Sequence, residues 1–212
     1  MPDPDALARY CSELFAQEDA VLAGIQARQA ALGLPPINIS ADEGKLLHVL
    51  VLVAGAKRVL ELGALAGYSG VWLARALPPD GQFMTIEKDP RHARLARQAF
   101  AESGLAARTT VLEGSALDVL PTLTPGFDAI FVDADKEPLA TYFDWCVRLL
   151  RTGGLLMFDN AFRHGCVVDP ADQTPETEGV RAFNRLAASD HRLVSAIVPI
   201  RDGLLVAVKK SA

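Results

Sequence analysis

The feature that most constrains the fold is a unit that recurs across residues 58–160. In it, a short β-branched run is followed by a glycine or acidic turn and then an amphipathic helix. Strands that alternate with helices form a parallel sheet whose two faces are both covered by helices. The sequence therefore predicts an α/β fold. The first five strands are predicted at RVLEL (58–62), QFMTIEK (82–88), RTTVLEG (108–114), FDAIFVD (127–133) and GGLLMFDN (153–160).

Helices are predicted between these strands and before the first of them. Residues 5–31 have the pattern of one long helix, and the Ser40-x-x-Glu43 pattern of a capping box opens a second helix over 41–54. The chain finishes on two predicted strands, 191–200 and 203–210, whose tight Arg-Asp-Gly turn makes the pair antiparallel. The later helices are predicted at 68–77, 90–103, 139–150 and 174–188, with a short one ending near residue 123.

Size and composition exclude several classes of protein. The 212 residues suffice for one domain, predicted over 1–212, and no apolar run reaches membrane-spanning length. A net charge of −5 gives no electrostatic footprint for nucleic acid or anionic lipid. The three cysteines form no Cys-x-x-Cys pattern, and the acidic N-terminus does not resemble a signal peptide. We therefore expect a cytoplasmic protein without a thiolate zinc site.

Glycines and acids follow the predicted parallel strands, at the edge where open α/β sheets bind their ligands. After the first strand the pattern is Glu61-x-Gly63-x-x-x-Gly67, with Leu65 where a dinucleotide-binding fingerprint has its middle glycine. A nucleoside without a pyrophosphate does not need that glycine. Glu87, at the end of the second strand, can accept hydrogen bonds from ribose hydroxyls. Together these features indicate a nucleoside site; the alternative is an ordinary turn beside a solvated glutamate.

Five motifs occur along the chain in order: VLELGALAGYSGVWLARAL, TIEKDP, LEGSALDVLP, FDAIFVDADK and GGLLMFDN. In this order and spacing the sequence resembles the cation-dependent O-methyltransferases, the family of catechol and caffeoyl-CoA O-methyltransferases and their bacterial relatives. The resemblance runs from ISADEGKLL (39–47) to the final strands. Residues 39–212 are therefore expected to be the catalytic core, and residues 1–38 an N-terminal helical extension.

The resemblance implies a Rossmann-like methyltransferase fold, with a seven-stranded, mostly parallel sheet whose last strand is antiparallel. It also implies S-adenosylmethionine as the methyl donor. Carried over motif by motif, the residues expected to bind this cofactor are Ile39, Glu61, Gly63, Ala64, Ser69, Glu87, Ser115, Ala116, Asp133 and Asp135.

The family's metal site corresponds to Asp133, after the fourth strand, and to Asp159 and Asn160, after the fifth. Oxygen ligands suit a hard cation, Mg²⁺ first, with Mn²⁺ or Ca²⁺ as alternatives. The other interpretation is a pair of helix-capping aspartates. A cation here can bind both oxygens of a vicinal diol and lower the pKa of the reacting hydroxyl. The resemblance makes Lys136 the catalytic base, with Asp133 the second catalytic residue.

The expected activity is transfer of a methyl group to a hydroxyl of a vicinal-dihydroxy aromatic small molecule. Three alternatives stay open: methylation of a modified nucleoside in tRNA, an NAD-dependent oxidoreductase, and a binding module without catalysis. Where family members often have Leu-Trp, this chain has Ala161, Phe162 and Arg163, which leaves the acceptor undetermined. Arg163 suits an acidic or phosphorylated acceptor, or it faces solvent.

Bacterial members of the family are commonly dimers, so the resemblance implies a homodimer. The first predicted helix carries Leu7, Leu14, Val21 and Ile25 along one side, either as a subunit contact or as packing within the domain. The acidic balance leads us to expect no nucleic-acid partner, and the lack of a long apolar run no membrane partner.

Overall fold

Seven strands form one sheet in a computed structural model that describes residues 4–135 and 138–211. Their order is β3-β2-β1-β4-β5-β7-β6, with β1 to β5 parallel and β7 antiparallel to both of its neighbours. The predicted α/β fold with an antiparallel last strand is confirmed. The strands are β1 (Arg58–Leu62), β2 (Gln82–Glu87), β3 (Thr109–Glu113), β4 (Phe127–Val132), β5 (Leu150–Phe158), β6 (Leu193–Val198) and β7 (Leu204–Lys209).

Helices cover both faces of the sheet because successive strand residues point to opposite sides. On one face, Val59 and Phe131 pack with α2, α3, α4 and α5; on the other, Leu60 and Ile130 pack with α6, α7 and α8. None of the described helices is both long and apolar enough to span a membrane. The helices are α1 (Pro4–Phe15), α2 (Ala20–Ala31), α3 (Ala41–Val53), α4 (Tyr68–Arg75), α5 (Pro90–Glu102), α6 (Ala116–Val119), α7 (Leu139–Leu149) and α8 (Pro175–Ser189).

The strand order reverses between β1 and β4, which are direct neighbours in the sheet. The helices that follow them leave to opposite faces, α4 to one and α7 to the other. In open α/β sheets this divergence creates a crevice beyond the carboxyl ends of the strands. The predicted site residues after β1 and β4 therefore meet at the switch in strand order.

The prediction of one long helix over residues 5–31 is wrong. α1 ends at Phe15 and α2 begins at Ala20. Asp19 takes an extended conformation, and its carboxylate accepts a hydrogen bond from the Leu22 amide at 3.1 Å, so it is the N-cap of a new helix. The same carboxylate accepts a hydrogen bond from Arg75 of α4 at 2.6 Å. The break thus lets α2 turn toward the sheet.

The two halves of the predicted apolar stripe have different environments. Ile25 of α2 is completely buried in the core, whereas Leu7 and Leu14 of α1 are 52% and 56% exposed. Only the α1 half is therefore available as a contact with another molecule.

The helix predicted to begin after Ser40 is confirmed, but its capping box is not formed. Ser40 occupies the N-cap position without a side-chain hydrogen bond, and its hydroxyl is buried without a partner among the described residues. Glu43 is completely buried and faces Arg201 of the β6–β7 turn instead. A tertiary contact with Arg201 thus replaces the local cap.

Candidate active site

A cavity of about 530 Å³ opens at the carboxyl edge of the parallel strands. It is bounded by the loops after β1, β2, β3, β4 and β5 and by the segment before α3. Ten of the residues predicted as site residues line it, namely Ile39, Gly63, Ala64, Ser69, Glu87, Ser115, Ala116, Asp133, Asp135 and Asn160. Two other predicted residues, Glu61 and Asp159, are buried and contact residues of the lining, Ser69 and Arg201 respectively.

Gly63 joins the ends of β1 and β4. A Cβ at this position would lie 2.1 Å from the carbonyl oxygen of Asp133, and the backbone has φ +92°. Only glycine meets both conditions. The Asp133 amide in turn donates to the Leu62 carbonyl at 2.9 Å. The glycine turn therefore fixes the loop after β1, which is predicted to bind the cofactor, directly against the first predicted metal ligand.

Leu65 shows how this loop does without a second glycine. It has φ +46°, a left-handed conformation that is uncommon for leucine. Its amide donates to Oε2 of Glu87 at 2.8 Å, and the Ala64 amide donates to the same oxygen at 3.1 Å. The other carboxylate oxygen accepts from the Asp89 amide at 2.9 Å. Glu87 thus holds the loop in place, a role that the sequence did not suggest.

Glu87 also keeps the capacity to bind a ligand. An ionised carboxylate has about four acceptor positions, and the described residues use three of them. Its side chain lines the cavity. The predicted acceptance of ribose hydroxyls is therefore compatible with its role in the loop.

Glu61 lies inside the sheet beneath Ser69. Its Oε1 accepts a hydrogen bond from the Ser69 hydroxyl at 2.6 Å, whereas Oε2 is buried and has no hydrogen-bond partner among the described residues. Burial raises the pKa of this carboxyl group to about 7. A positively charged ligand group bound next to Ser69 would favour the ionised form of Glu61.

The predicted metal ligands follow directly paired strand residues. Val132 of β4 pairs with Phe158 of β5, and the Asp159 amide donates to the Val132 carbonyl at 3.0 Å. Asp133 and Asp159 therefore start from adjacent positions on the sheet edge, as their spacing suggested. Asn160 has φ +64°, and its Nδ2 donates to Asp202 at 3.1 Å. Its Oδ1 is the amide atom that remains for a cation.

A buried carboxylate that sequence reasoning missed lies beside this pair. Oε2 of Glu43 is 3.7 Å from Nη1 of Arg201, and that nitrogen is 3.2 Å from Oδ2 of Asp159. Both oxygens of Glu43 are buried without a hydrogen bond among the described residues. Burial and the charge of Asp159 raise the pKa of Glu43 to about 9.

The signal for Glu43 was present in the sequence. Glu43, Leu47 and Val51 recur at the four-residue spacing of one helix face, and all three are completely buried. An acid on such a face needs a partner, which the capping-box interpretation obscured. Arg201 had no comparable signal, because its contacts depend on how the β6–β7 turn packs.

The chemistry of these donors fits a divalent cation. Asp133, Asp159 and Glu43 bring carboxylates to one end of the sheet, and the charges of both aspartates and of Arg201 act on Glu43. In residues 4–135 and 138–211 no three His, Cys, Asp or Glu side chains form a metal-binding group. The predicted ligand set contains only two such side chains, those of Asp133 and Asp159, since its third member is the amide oxygen of Asn160.

The remaining predicted residues have varied outcomes. Asp135 lines the cavity and pairs with Lys88 at 2.6 Å, with both side chains more than half exposed. Lys136, the predicted base, lies outside the described residues. Arg163 and His164, which follow the Asp-Asn pair, both line the cavity and have left-handed backbones, with φ of +50° and +55°.

The comparisons with known proteins agree with this geometry. The O-methyltransferase family profile matches residues 12–210. The chain is 38% identical to a catechol O-methyltransferase of Niastella koreensis over 97% of both sequences. It is 41% identical to a catechol O-methyltransferase of Mycobacterium tuberculosis, over 87% of this chain and 84% of the relative.

A solved structure shares the whole architecture. The O-methyltransferase TomG of Streptomyces achromogenes, involved in tomaymycin synthesis and crystallised with S-adenosylmethionine, superposes with a TM-score of 0.91. It is 35% identical, and the match covers 100% of both chains.

Fold and cavity thus define an α/β enzyme with its ligand site at the switch in strand order. The chain belongs to the O-methyltransferase family, and the resemblance inferred from its sequence motifs is confirmed. The family match begins at residue 12, so it includes α2 and the end of α1 as well as the motifs that start at residue 39.

Proposed function

We propose that this enzyme transfers a methyl group from S-adenosylmethionine to one hydroxyl of a vicinal-dihydroxy aromatic small molecule, with the help of a divalent cation. The observation that carries the proposal is that one cavity contains two kinds of predicted residue. Ser69, Glu87 and Ser115 suit an amino-acid nucleoside, and Asp133 with Asn160 supplies oxygen donors for a cation. Asp133 is predicted to belong to both groups, the cofactor-binding residues and the metal ligands.

The cofactor side follows from the chemistry of each group. Glu87 would accept hydrogen bonds from the ribose hydroxyls, and Ser115 and Ala116 would contact the adenine. Ile39 and Ser69 would hold the methionine end, whose ammonium group would compensate the buried carboxylate of Glu61. The S-adenosylmethionine bound to TomG, with which this chain shares its whole length, supports the same ligand here.

The cation side would use Asp133, Asp159 and Asn160 as protein ligands. When bound, a hard cation such as Mg²⁺ orients a vicinal diol and lowers the pKa of its reacting hydroxyl. The protein's own part is to hold the ligand side chains in place. Asp159 is held by Arg201 and by the Asn160 amide, and Asn160 by Asp202, so the donors are fixed in advance.

The reaction requires one proton acceptor and one methyl transfer. The sequence assigns the proton to Lys136, and this assignment stays a prediction. The deprotonated hydroxyl oxygen forms a bond to the methyl carbon while the carbon–sulfur bond breaks. S-adenosylhomocysteine leaves as a neutral thioether, so charge and atoms balance.

A small-molecule acceptor is favoured over a nucleoside in tRNA. Two of the relatives compared are named catechol O-methyltransferases. The chain also has a net charge of −5. A surface that binds a polyanion needs a basic stripe instead. We further propose a cytoplasmic enzyme.

A homodimer through the outer face of α1 completes the proposal. Four large apolar or aromatic side chains of α1 are more than half exposed, namely Leu7, Tyr10, Leu14 and Phe15. α1 packs on α3, whose Val53 is 80% exposed. We infer that these exposed apolar side chains form the contact between two copies of the chain.

Substitution of Asp159 tests the proposed metal site. We expect Asp159→Ala to weaken Mg²⁺ binding in calorimetric titrations and to lower turnover of catechol by at least about a hundredfold. Asp118→Ala, in an exposed position outside the cavity, is the matched control. A folded Asp159→Ala protein with wild-type Mg²⁺ affinity would show that the cation, if used, binds elsewhere.

A further inference from the structure

Five side chains of lysine, arginine and histidine line the cavity, and four of them face a carboxylate. The four pairs are Lys88–Asp135 at 2.6 Å, Arg201–Asp159 at 3.2 Å, His164–Asp202 at 3.7 Å and His92–Glu87 at 3.8 Å. Arg163 is the fifth, and within residues 4–135 and 138–211 it has no ion-pair partner. The cavity therefore contains one guanidinium that no described acid compensates.

The position of Arg163 is set by its loop. The Ala161 amide donates to the Gly203 carbonyl at 2.9 Å, and the Phe162 amide donates to the Asp202 carbonyl at 2.8 Å. The Phe162 ring packs so closely on Gly203 that a Cβ there would lie 2.7 Å from it. These contacts hold Arg163 at φ +50°, a strained conformation of the kind that concentrates at functional sites.

The side chain is not that of a solvated surface arginine. Arg163 is half-buried, and its Nε is buried without a hydrogen-bond partner among the described residues. A partly desolvated cation is unfavourable unless an anion pairs with it. Because Arg163 lines the cavity, a ligand in that cavity can supply the anion.

We propose that Arg163 binds a carboxylate of the methyl acceptor, so that the preferred acceptors are dihydroxy aromatic acids rather than neutral catechols. The planar guanidinium offers two parallel N–H donors that match a carboxylate. Arg163 follows Asn160 by three residues in one fixed loop, so a predicted ligand of the cation and the group that would bind the acid belong to the same segment. This inference rests on the proposed function and specifies its substrate class.

The test compares one aromatic ring with and without its charge. The acceptors are 3,4-dihydroxybenzoate, its methyl ester and catechol, each assayed for methyl transfer from S-adenosylmethionine by the enzyme of residues 1–212. We expect the wild type to prefer the acid over the ester in kcat/KM by about tenfold or more. Arg163→Gln should abolish this preference and Arg163→Lys should retain part of it. Arg94→Gln, at an exposed position of α5 outside the cavity, should keep it fully.

The outcomes separate this inference from the function on which it rests. A wild-type enzyme that methylates catechol and treats acid and ester alike would overturn the role of Arg163 and leave the proposed function intact. The same holds if Arg163→Gln keeps the full preference for the acid. A wild-type enzyme that methylates none of the three acceptors would contradict the proposed function itself. Calorimetric titration of the acid into both proteins gives a second readout, in which Arg163→Gln should bind about tenfold more weakly.

Discussion

At the scale of single residues, the acids of this site are defined by what compensates them. Glu87 is held by three backbone amides, and Asp159 by an amide and a guanidinium. Glu61 and Glu43 are completely buried, and the pKa of each is raised because burial disfavours the charged form. The buried acids thus mark the places where a positively charged ligand would be stabilised.

Glu61 makes the stability of the ligand-free protein depend on pH. Its pKa is about 7 in the folded chain and 4.5 when unperturbed, so the folded state binds the extra proton between these values. The contribution of protonated Glu61 to the unfolding free energy is therefore fully present below about pH 4.5, and it is lost as the pH rises through about 7. We expect a loss of about 3 kcal/mol from this group across that window.

Urea denaturation across this pH range, with the variant Glu61→Gln alongside, measures the effect. The glutamine cannot ionise, so the difference in unfolding free energy between the two proteins should change with pH by this amount. S-adenosylmethionine should make this difference change less with pH, since its ammonium group favours the ionised form of Glu61. Parallel pH curves for wild type and variant would show that Glu61 does not titrate in this range.

Most of the residues that the sequence predicts for the site line one cavity, because each follows a strand or belongs to a local motif. Ser69, Glu87 and Asp133 are examples, and all three line the cavity. The sequence could not supply partners that come from distant turns. Arg201 and Asp202 belong to the β6–β7 turn, and their contacts with Asp159 and Asn160 depend on how that turn packs against the end of β5. Only folding brings these groups together.

At the scale of elements, the site depends on how closely β1 and β4 approach. Gly63→Ala would place a methyl group 2.1 Å from the carbonyl oxygen of Asp133, at φ +92°. We expect it to lower the unfolding free energy by more than about 3 kcal/mol, because backbone atoms must move apart. Binding of S-adenosylmethionine should weaken with it, since the cofactor loop follows this residue.

Gly104→Ala is the matched control for this substitution. Gly104 also has a left-handed backbone, at φ +72°, but nothing lies within 4 Å of the point that an added Cβ would occupy. The cost there should be about 1 kcal/mol, that of the backbone conformation alone. Denaturation of both variants and titration of the cofactor into each give the comparison. Equal losses in the two proteins would mean that the approach of β1 to β4 is not tight.

Strands and most helices could be predicted because their apolar periodicity is strong. The break between α1 and α2 could not, because residues 5–31 keep a helical pattern throughout and the break depends on Asp19 contacting Leu22 and Arg75. β5 begins at Leu150 rather than at residue 153. The Gly153–Gly154 pair, predicted as the start of the strand, lies inside it, where the pairing with β4 shifts register.

At the scale of the whole molecule, the exposed face of α1 predicts the assembly. We expect the wild type to have twice the chain mass of 22.7 kDa in light scattering. Leu14→Glu combined with Phe15→Glu should give the monomer, because charges would be buried in the contact. Val168→Glu, at a residue that is 82% exposed elsewhere, should stay dimeric. A monomeric wild type, or a dimer that survives the α1 changes, would contradict this contact.

The molecule as a whole combines a nucleoside site and a cluster of oxygen donors at one switch in strand order. The measurement that tests this account most directly is methyl transfer from S-adenosylmethionine to catechol by enzyme treated with EDTA, and by the same enzyme after Mg²⁺ is added back. The account predicts that chelation lowers turnover by at least about a hundredfold and that Mg²⁺ restores it. Full activity in EDTA, or no methylation of any dihydroxy aromatic acceptor with Mg²⁺ present, would contradict it.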